Sequence, residues 1–193
     1  MKTLFNLSKR TDFVIGMVFA GLTALFLVLF FASEPFFNWA FDRHHNLLSW
    51  YIRPIWILPI AFFAFKRSWT GVMASIFCLF TSMFWFPVPA SINPKVVEFL
   101  AFEQEYLKGS WDFSKIIVQM AVPLFFAGLI YTAWHRSLKA LIGVMVAAAV
   151  LKVLWSAAYA GEAGLSIIKP AVSGLFICIA AVVYFKKKKK AVR

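Results

Sequence analysis

Acids are scarce in this chain. Eight Asp and Glu stand against twenty Lys and Arg in 193 residues, and they are not scattered. Only Asp12 borders a basic segment; Glu34, Asp42, Glu98, Glu103, Glu105, Asp112 and Glu162 fall in other connections. Cysteine is nearly absent. Cys78 and Cys178 each lie in an apolar run with no CxxC partner and no nearby His, which excludes a disulfide framework and a cysteine metal site and leaves two small buried hydrophobes. The His residues, His44, His45 and His135, are too few and too widely placed for a haem-bridging or di-metal centre. No Walker loop, GxSxG, HExxH or nucleotide fingerprint occurs. No internal repeat is visible, so an inverted-repeat carrier is not indicated. The one low-complexity stretch is the run Lys186 to Lys190.

Apolar surface is what the chain has in abundance. Its residues are 62% hydrophobic and its mean hydropathy is +0.80. No water-soluble domain of this size hides that much apolar area, so lipid must solvate part of it. The net charge of +12 would suggest nucleic acid in a soluble protein, but here basic loops and a Lys tail account for it, and no nucleic-acid partner is expected.

The expected fold class is an all-α integral membrane protein. Six transmembrane helices, N-in/C-in, are read at about 13–32, 52–65, 70–86, 114–134, 138–159 and 163–185, with two interfacial helices on the outer (periplasmic or extracellular) side at about 35–50 and 94–108. Residues 1–185 form a single polytopic membrane domain and 186–193 a basic cytoplasmic tail. The run from Phe13 to Ala32 is too long for a signal-peptide core and lacks a small-x-small cleavage pattern, so it reads as a first helix kept in the mature protein. Pro54, Pro59, Pro123 and Pro170 lie inside spans, where they kink a helix that its neighbours re-satisfy. Asn93 reads as an N-cap with Pro94 at the first helical position, and Gly109 as the stop.

Charge sets the orientation. Lys2, Lys9 and Arg10 precede the first span; Lys66 and Arg67, then Arg136 and Lys139, join later spans; Lys186 to Lys190 and Arg193 follow the last. The acids occupy the alternate connections. Both termini are therefore expected in the cytoplasm, in a bacterial inner membrane. The tail would lie against anionic inner-leaflet lipid.

The candidate site follows from depth. Arg53, Lys115, Lys152 and Lys169, from four different spans, all fall in the outer half of the membrane, where an ammonium in hydrocarbon costs about 2.5–3.5 kcal/mol and should face a polar interior. Gln119 accompanies Lys115. Lys152, Ser156 and Tyr159 share a stripe at i, i+4, i+7. Glu98 and Glu105, seven apart on the outer helix, share a face. Arg53, Lys115, Gln119, Lys152, Tyr159, Lys169, Glu98 and Glu105 are thus the expected ligand-binding set, with Lys152 and Lys169 as the pocket floor. The competing reading pairs these cations with Glu98, Glu103, Glu105 and Glu162, or lets Lys115 and Lys169 snorkel to headgroups. Asp42, His44 and His45 form a second polar group suited to pH sensing or a polar interface; two adjacent His diverge by about 100° on a helix and do not share a metal. No metal and no cofactor is expected.

Functionally, the pattern suits a protein that binds or transports an anionic or amphiphilic ligand through a polar pocket in the outer half of the bundle. The alternatives are a non-catalytic accessory subunit of a larger membrane complex, and a lipid-modifying enzyme using outer carboxylates with His44 or His45. With no catalytic motif, a binding role is favoured over an enzymatic one. The expected partners are membrane lipids, the small ligand, and a membrane protein or a second copy of the chain.

Overall fold

The computed structural model describes residues 7–191, with side chains described as far as Tyr184. Lys2 and Arg193, two of the expected inside charges, lie outside the described residues, as do the side chains of the Lys186 to Lys190 run. Among the described residues the protein is helical and contains no strand. The helices are α1 (Lys9–Ala32), α2 (Glu34–His44), α3 (Leu47–Ile55), α4 (Ile57–Phe65), α5 (Trp69–Thr81), α6 (Pro94–Lys108), α7 (Phe113–Trp134), α8 (Leu138–Gly164) and α9 (Ile168–Ala191), with 3-10 turns at Ser82–Phe84 and Leu165–Ile167. Four stretches are long and apolar enough to cross a membrane: Lys9–Ala32, Leu47–Phe65, Phe113–Trp134 and Leu138–Tyr184. Most of their surface is left uncovered by protein, and Phe13, Val18, Val28, Leu124, Leu151 and Leu154 are all exposed. A helix apolar on every side has hydrocarbon as its matching solvent.

α1 begins at Ser8, whose hydroxyl accepts the Thr11 N–H at 3.1 Å. It buries a single stripe, Asp12, Gly16, Thr23, Phe26 and Phe30, and lays it against α5. The approach is close: a Cβ at Gly16 would stand 2.9 Å from the backbone of Trp69. Asp12, at the end of the stripe, is a buried acid with no ion-pair partner among the described residues. Its carboxylate accepts the Ser68 hydroxyl at 2.7 Å and the Trp69 N–H at 2.8 Å. It therefore sits on the positive end of α5, where orphan amides and the helix dipole both favour an anion.

The turns α4–α5 and α7–α8 have the same construction. In each, an Arg takes the left-handed conformation, Arg67 at φ 57° and Arg136 at φ 60°. The following Ser N–H reaches back five residues, Ser68 to the Phe63 carbonyl at 3.0 Å and Ser137 to the Thr132 carbonyl at 2.9 Å. This is the Schellman arrangement with Arg where glycine is usual. The turns are neighbours, because the Arg136 guanidinium lies 4.9 Å from the Phe65 ring centre and Trp69 packs on Trp134. Lys9, Arg10, Lys66, Arg67 and Arg136 thus gather at one end of the bundle.

The opposite end is aromatic. Phe26, Phe30, Phe37, Phe41, Trp50 and Phe99 form one buried core with Met83, Val96, Leu100 and Ala163. The core nearer the basic end is mainly aliphatic: Ile60, Val72, Ile76, Leu79, Leu129, Leu141 and Met145 with small residues.

Several bounds differ from those read in sequence. The segment expected as one interfacial helix at 35–50 is two, because Asn46 interrupts it and caps α3 by accepting the Leu48 N–H at 3.1 Å. α3 then runs on toward α4, so the apolar stretch starts at Leu47 rather than 52. Pro59 has no N–H for the Ile55 carbonyl, and the helix is interrupted at Trp56. The helix expected at 70–86 ends at Thr81 and tightens into a 3-10 turn. α8 continues past 159 to a break at Gly161, whose φ 53° and ψ −134° only glycine adopts readily. The chain then doubles back so tightly that a Cβ on Gly164 would overlap the Ser156 carbonyl. α9 starts at Ile168, not 163, and its backbone stays helical through the expected tail to Ala191. Gly174 of α9 lets the Pro54 ring in, 2.6 Å from where a Cβ would be.

Candidate functional site

The corner between α2 and α3 turns the backbone at His45–Asn46 and buries His44. Three hydrogen bonds hold the corner: Trp50 Nε1 donates to the His44 carbonyl at 2.9 Å, Arg43 Nε to the Phe84 carbonyl at 2.7 Å, and Asn46 Nδ2 to the Pro87 carbonyl at 3.0 Å. The His44 ring is then fixed at both nitrogens. Nδ1 lies 2.8 Å from Ser49 Oγ and Nε2 lies 3.2 Å from an Arg53 terminal nitrogen. Arginine has only donors, so Nε2 must be the acceptor and the ring proton sits on Nδ1. Ser49 passes the polarity on, its hydroxyl donating to the Asn46 carbonyl at 2.7 Å. The chain Arg53–His44–Ser49–Asn46 runs in one direction and requires a neutral imidazole. Burial, first of all, pushes His44 well below its ordinary pKa, and the positive fields of Arg53 and Lys152 and neighbouring His45 push the same way, against a backbone hydrogen bond at Met83.

Lys152 of α8 completes the cluster. Its ammonium donates to Glu103 Oε1 of α6 at 2.9 Å and lies over the Trp155 and Phe99 rings at 4.7 and 5.6 Å. Glu103 is the carboxylate whose field reaches Arg53, yet no carboxylate among the described residues is within ion-pair distance of that guanidinium. The charge count is plain: two cations, one anion and one neutral imidazole. Only one of the five N–H groups of Arg53 has a partner among the described residues. Trp155 Nε1, on the residue beneath Lys152, is a further buried donor without an acceptor among the described residues. Phe102, Tyr106, Trp155 and Tyr159 form the wall beside it, with Tyr106 and Trp155 edge to face at 5.2 Å and Trp155 stacked on Tyr159 at 5.7 Å.

The residues read from sequence divide. Arg53, Lys152 and His44 meet. Tyr159 stands at the edge of the aromatic wall, exposed. Gln119 lies beside Tyr106, whose phenol burial pushes upward in pKa. Lys115 is buried for another reason: its ammonium donates to the Gly109 carbonyl at 2.9 Å, covering the C-terminal end of α6, and lies over Tyr106 and Trp111. Lys169 is exposed and makes no side-chain hydrogen bond or ion pair among the described residues, so it does not join Lys152 as a floor. Glu98 and Glu105 are exposed on the far face of α6. Asp42 is exposed, and its carbonyl lies 3.2 Å from His45 Nδ1. Glu162 pairs with Lys95 only at 3.9 Å on the surface.

Glu103 and Ser49 are the members the expected set left out. A signal for Glu103 was present: Val96, Phe99, Leu100, Glu103 and Leu107 follow the i, i+3, i+4 rhythm of a buried face, and a carboxylate on that stripe needs a partner. Among the described residues no group of three or more His, Cys, Asp or Glu is placed to hold a metal.

Compared with protein-family models, with curated proteins and with solved structures, the chain matches none. The fold is a helical bundle with several helices apolar enough to span a membrane, consistent with a membrane protein. The chemistry of the cluster therefore carries any functional reading.

Proposed function

We propose that this protein binds or carries an anionic amphiphile, taken from the outer face of a bacterial inner membrane into the Arg53–Lys152 cluster. One observation carries the reading: among the described residues, a half-buried guanidinium, on a helix apolar enough to cross a membrane, has a neutral imidazole and no carboxylate as its contact. Isolated charge in such a place is costly, and an anionic headgroup with several oxygens would use the remaining N–H groups in charge-assisted bonds. Trp155, Tyr106 and Tyr159 offer an aromatic wall for the part of the ligand next to the headgroup. Leu151 and Leu154, exposed on α8, continue that wall toward acyl chains.

The topology belongs to the same proposal. Taking Leu138–Tyr184 as two crossings parted at Gly161, and the shorter apolar helix Trp69–Phe84 as one, gives six crossings. The gathering of Lys9, Arg10 and the two Arg turns at one end supports a cytoplasmic position for that end and an outer position for α2, α6 and the cluster.

The test is a binding titration in mild detergent, with short-chain phosphatidic acid as probe. Arg53→Gln is expected to weaken binding about 10- to 100-fold, the range for losing a charged hydrogen-bonding partner, and Lys169→Ala to leave it unchanged. Equal affinity in wild type and a folded Arg53→Gln variant would refute the proposal.

A further inference from the structure

A second feature lies at the C-terminal end of α1, lined by none of the residues of the Arg53 cluster. An open cleft of about 520 Å³ is bounded by Phe31, Glu34, Phe37, Leu107, Lys108 and Trp111. A wide-open, nearly flat apolar furrow runs on along Leu27, Val28, Phe31 and Ala32. Phe31 and Ala32 line both, so a polar mouth and an apolar furrow are continuous. From Ala32 to Leu27 the furrow descends about 7–8 Å along the helix, on a side of α1 where Val28 and Phe31 are exposed.

The mouth holds one charge of each sign. Lys108 Nζ lies 3.2 Å from Glu34 Oε1 and 3.2 Å from Asn38 Oδ1, and 5.0 Å from the Phe37 ring centre. Both charged side chains are well exposed, 45% for Lys108 and 75% for Glu34, so each keeps hydrogen-bonding capacity toward a ligand. A simple anion would gain Lys108 and meet Glu34; a simple cation would do the reverse. A group that carries a phosphate and a primary ammonium a few atoms apart satisfies both. The ammonium matters: Glu34 accepts N–H bonds, which a quaternary amine cannot give. Trp111, 49% exposed and edge-on to Phe31, is an interfacial anchor beside the mouth.

We infer that this cleft and furrow form a binding site for a zwitterionic aminophospholipid, with its ammonium against Glu34, its phosphate against Lys108 and the first methylenes of one acyl chain along Leu27, Val28 and Phe31. The site is independent of the Arg53 cluster and would stand if that reading failed.

The experiment uses the full chain in nanodiscs whose lipids carry bromine high on one acyl chain, as phosphatidylethanolamine, phosphatidylglycerol or phosphatidylcholine at equal mole fraction. The quenching of Trp111 is the difference between wild type and Trp111→Phe. Brominated phosphatidylethanolamine is expected to quench more than either other lipid, and Glu34→Gln to reduce its advantage over phosphatidylglycerol about two- to five-fold, as for an exposed ion pair. Native mass spectrometry of the unmutated protein, equilibrated with mixed lipids, should retain phosphatidylethanolamine preferentially. Equal quenching by the three lipids means annular contact only and overturns the proposal. A preference for phosphatidylglycerol or phosphatidylcholine, or one untouched by Glu34→Gln, overturns it too.

Discussion

The two ends of this bundle both bury a charged or ionisable side chain, and they do so by opposite means. At the basic end Asp12 is an anion with no ion-pair partner among the described residues, held by a hydroxyl and a backbone N–H at the start of α5. At the aromatic end Arg53 is a cation whose hydrogen-bond partner is the neutral ring of His44. The first charge is answered by a helix terminus, with one bond to each carboxylate oxygen. The second has donors to spare. A satisfied buried charge serves the fold; an unsatisfied one is a cost that a ligand can relieve. Four expected outcomes test this contrast.

The largest concerns Asp12. Asp12→Ala leaves Ser68 and the first amide of α5 without an acceptor, and should lower stability by about 3 kcal/mol in a thermal or denaturant unfolding series. The affinity proposed for the Arg53 cluster should be kept in the variant at temperatures where it remains folded. Loss of both together would mean the ends are not separate.

The next is the pH response of His44. Its folded pKa is pushed down, so above the unfolded value near 6.5 neither state holds the proton and pH has no effect through this group. Below about pH 6.5 the unfolded state takes up a proton that the folded state resists. Stability should fall by up to about 1.4 kcal/mol per pH unit until the folded pKa is passed. His44→Asn should flatten that slope. An acid slope equal in wild type and variant would remove His44 from the account.

Smaller still is the cost of the arginine turns. Arg67 sits at φ 57°, a conformation that disfavours a side chain by about 1–2 kcal/mol. Arg67→Gly should therefore stabilise the folded protein by about 1 kcal/mol, while reducing the fraction inserted with that turn inside, as read by protease protection. The two readouts moving in opposite directions would show strain kept for the sake of a charge.

Much of the fold was legible because it rests on local rules. Unbroken apolar runs marked helices long and apolar enough to span a membrane, and Asn93–Pro94 with Gly109 marked the ends of α6. The site was harder, for reasons that lie in particular residues. His44 and Arg53 meet across a break at Asn46, and a nine-residue separation says nothing until the corner is known. Choosing Glu98 and Glu105 for their shared face selected the exposed side of α6, when Glu103 on the apolar stripe is the one that turns inward. Depth alone put Lys169 beside Lys152, but depth does not specify rotation about a helix axis, and Lys169 faces outward. Asp12 is buried by the N-terminus of a helix 56 residues away in sequence, so no local pattern announces it.

The most direct measurement is the affinity of a Glu103→Gln variant for the anionic amphiphile. Glu103 and Lys152 are part-exposed, 21% and 42%, so stability should change by less than about 1 kcal/mol. The charge surplus of the cluster, however, rises from one to two. Tighter binding in Glu103→Gln, alongside weaker binding in Arg53→Gln, is the result expected if electrostatic surplus draws the ligand. Unchanged or weaker binding in Glu103→Gln would contradict it.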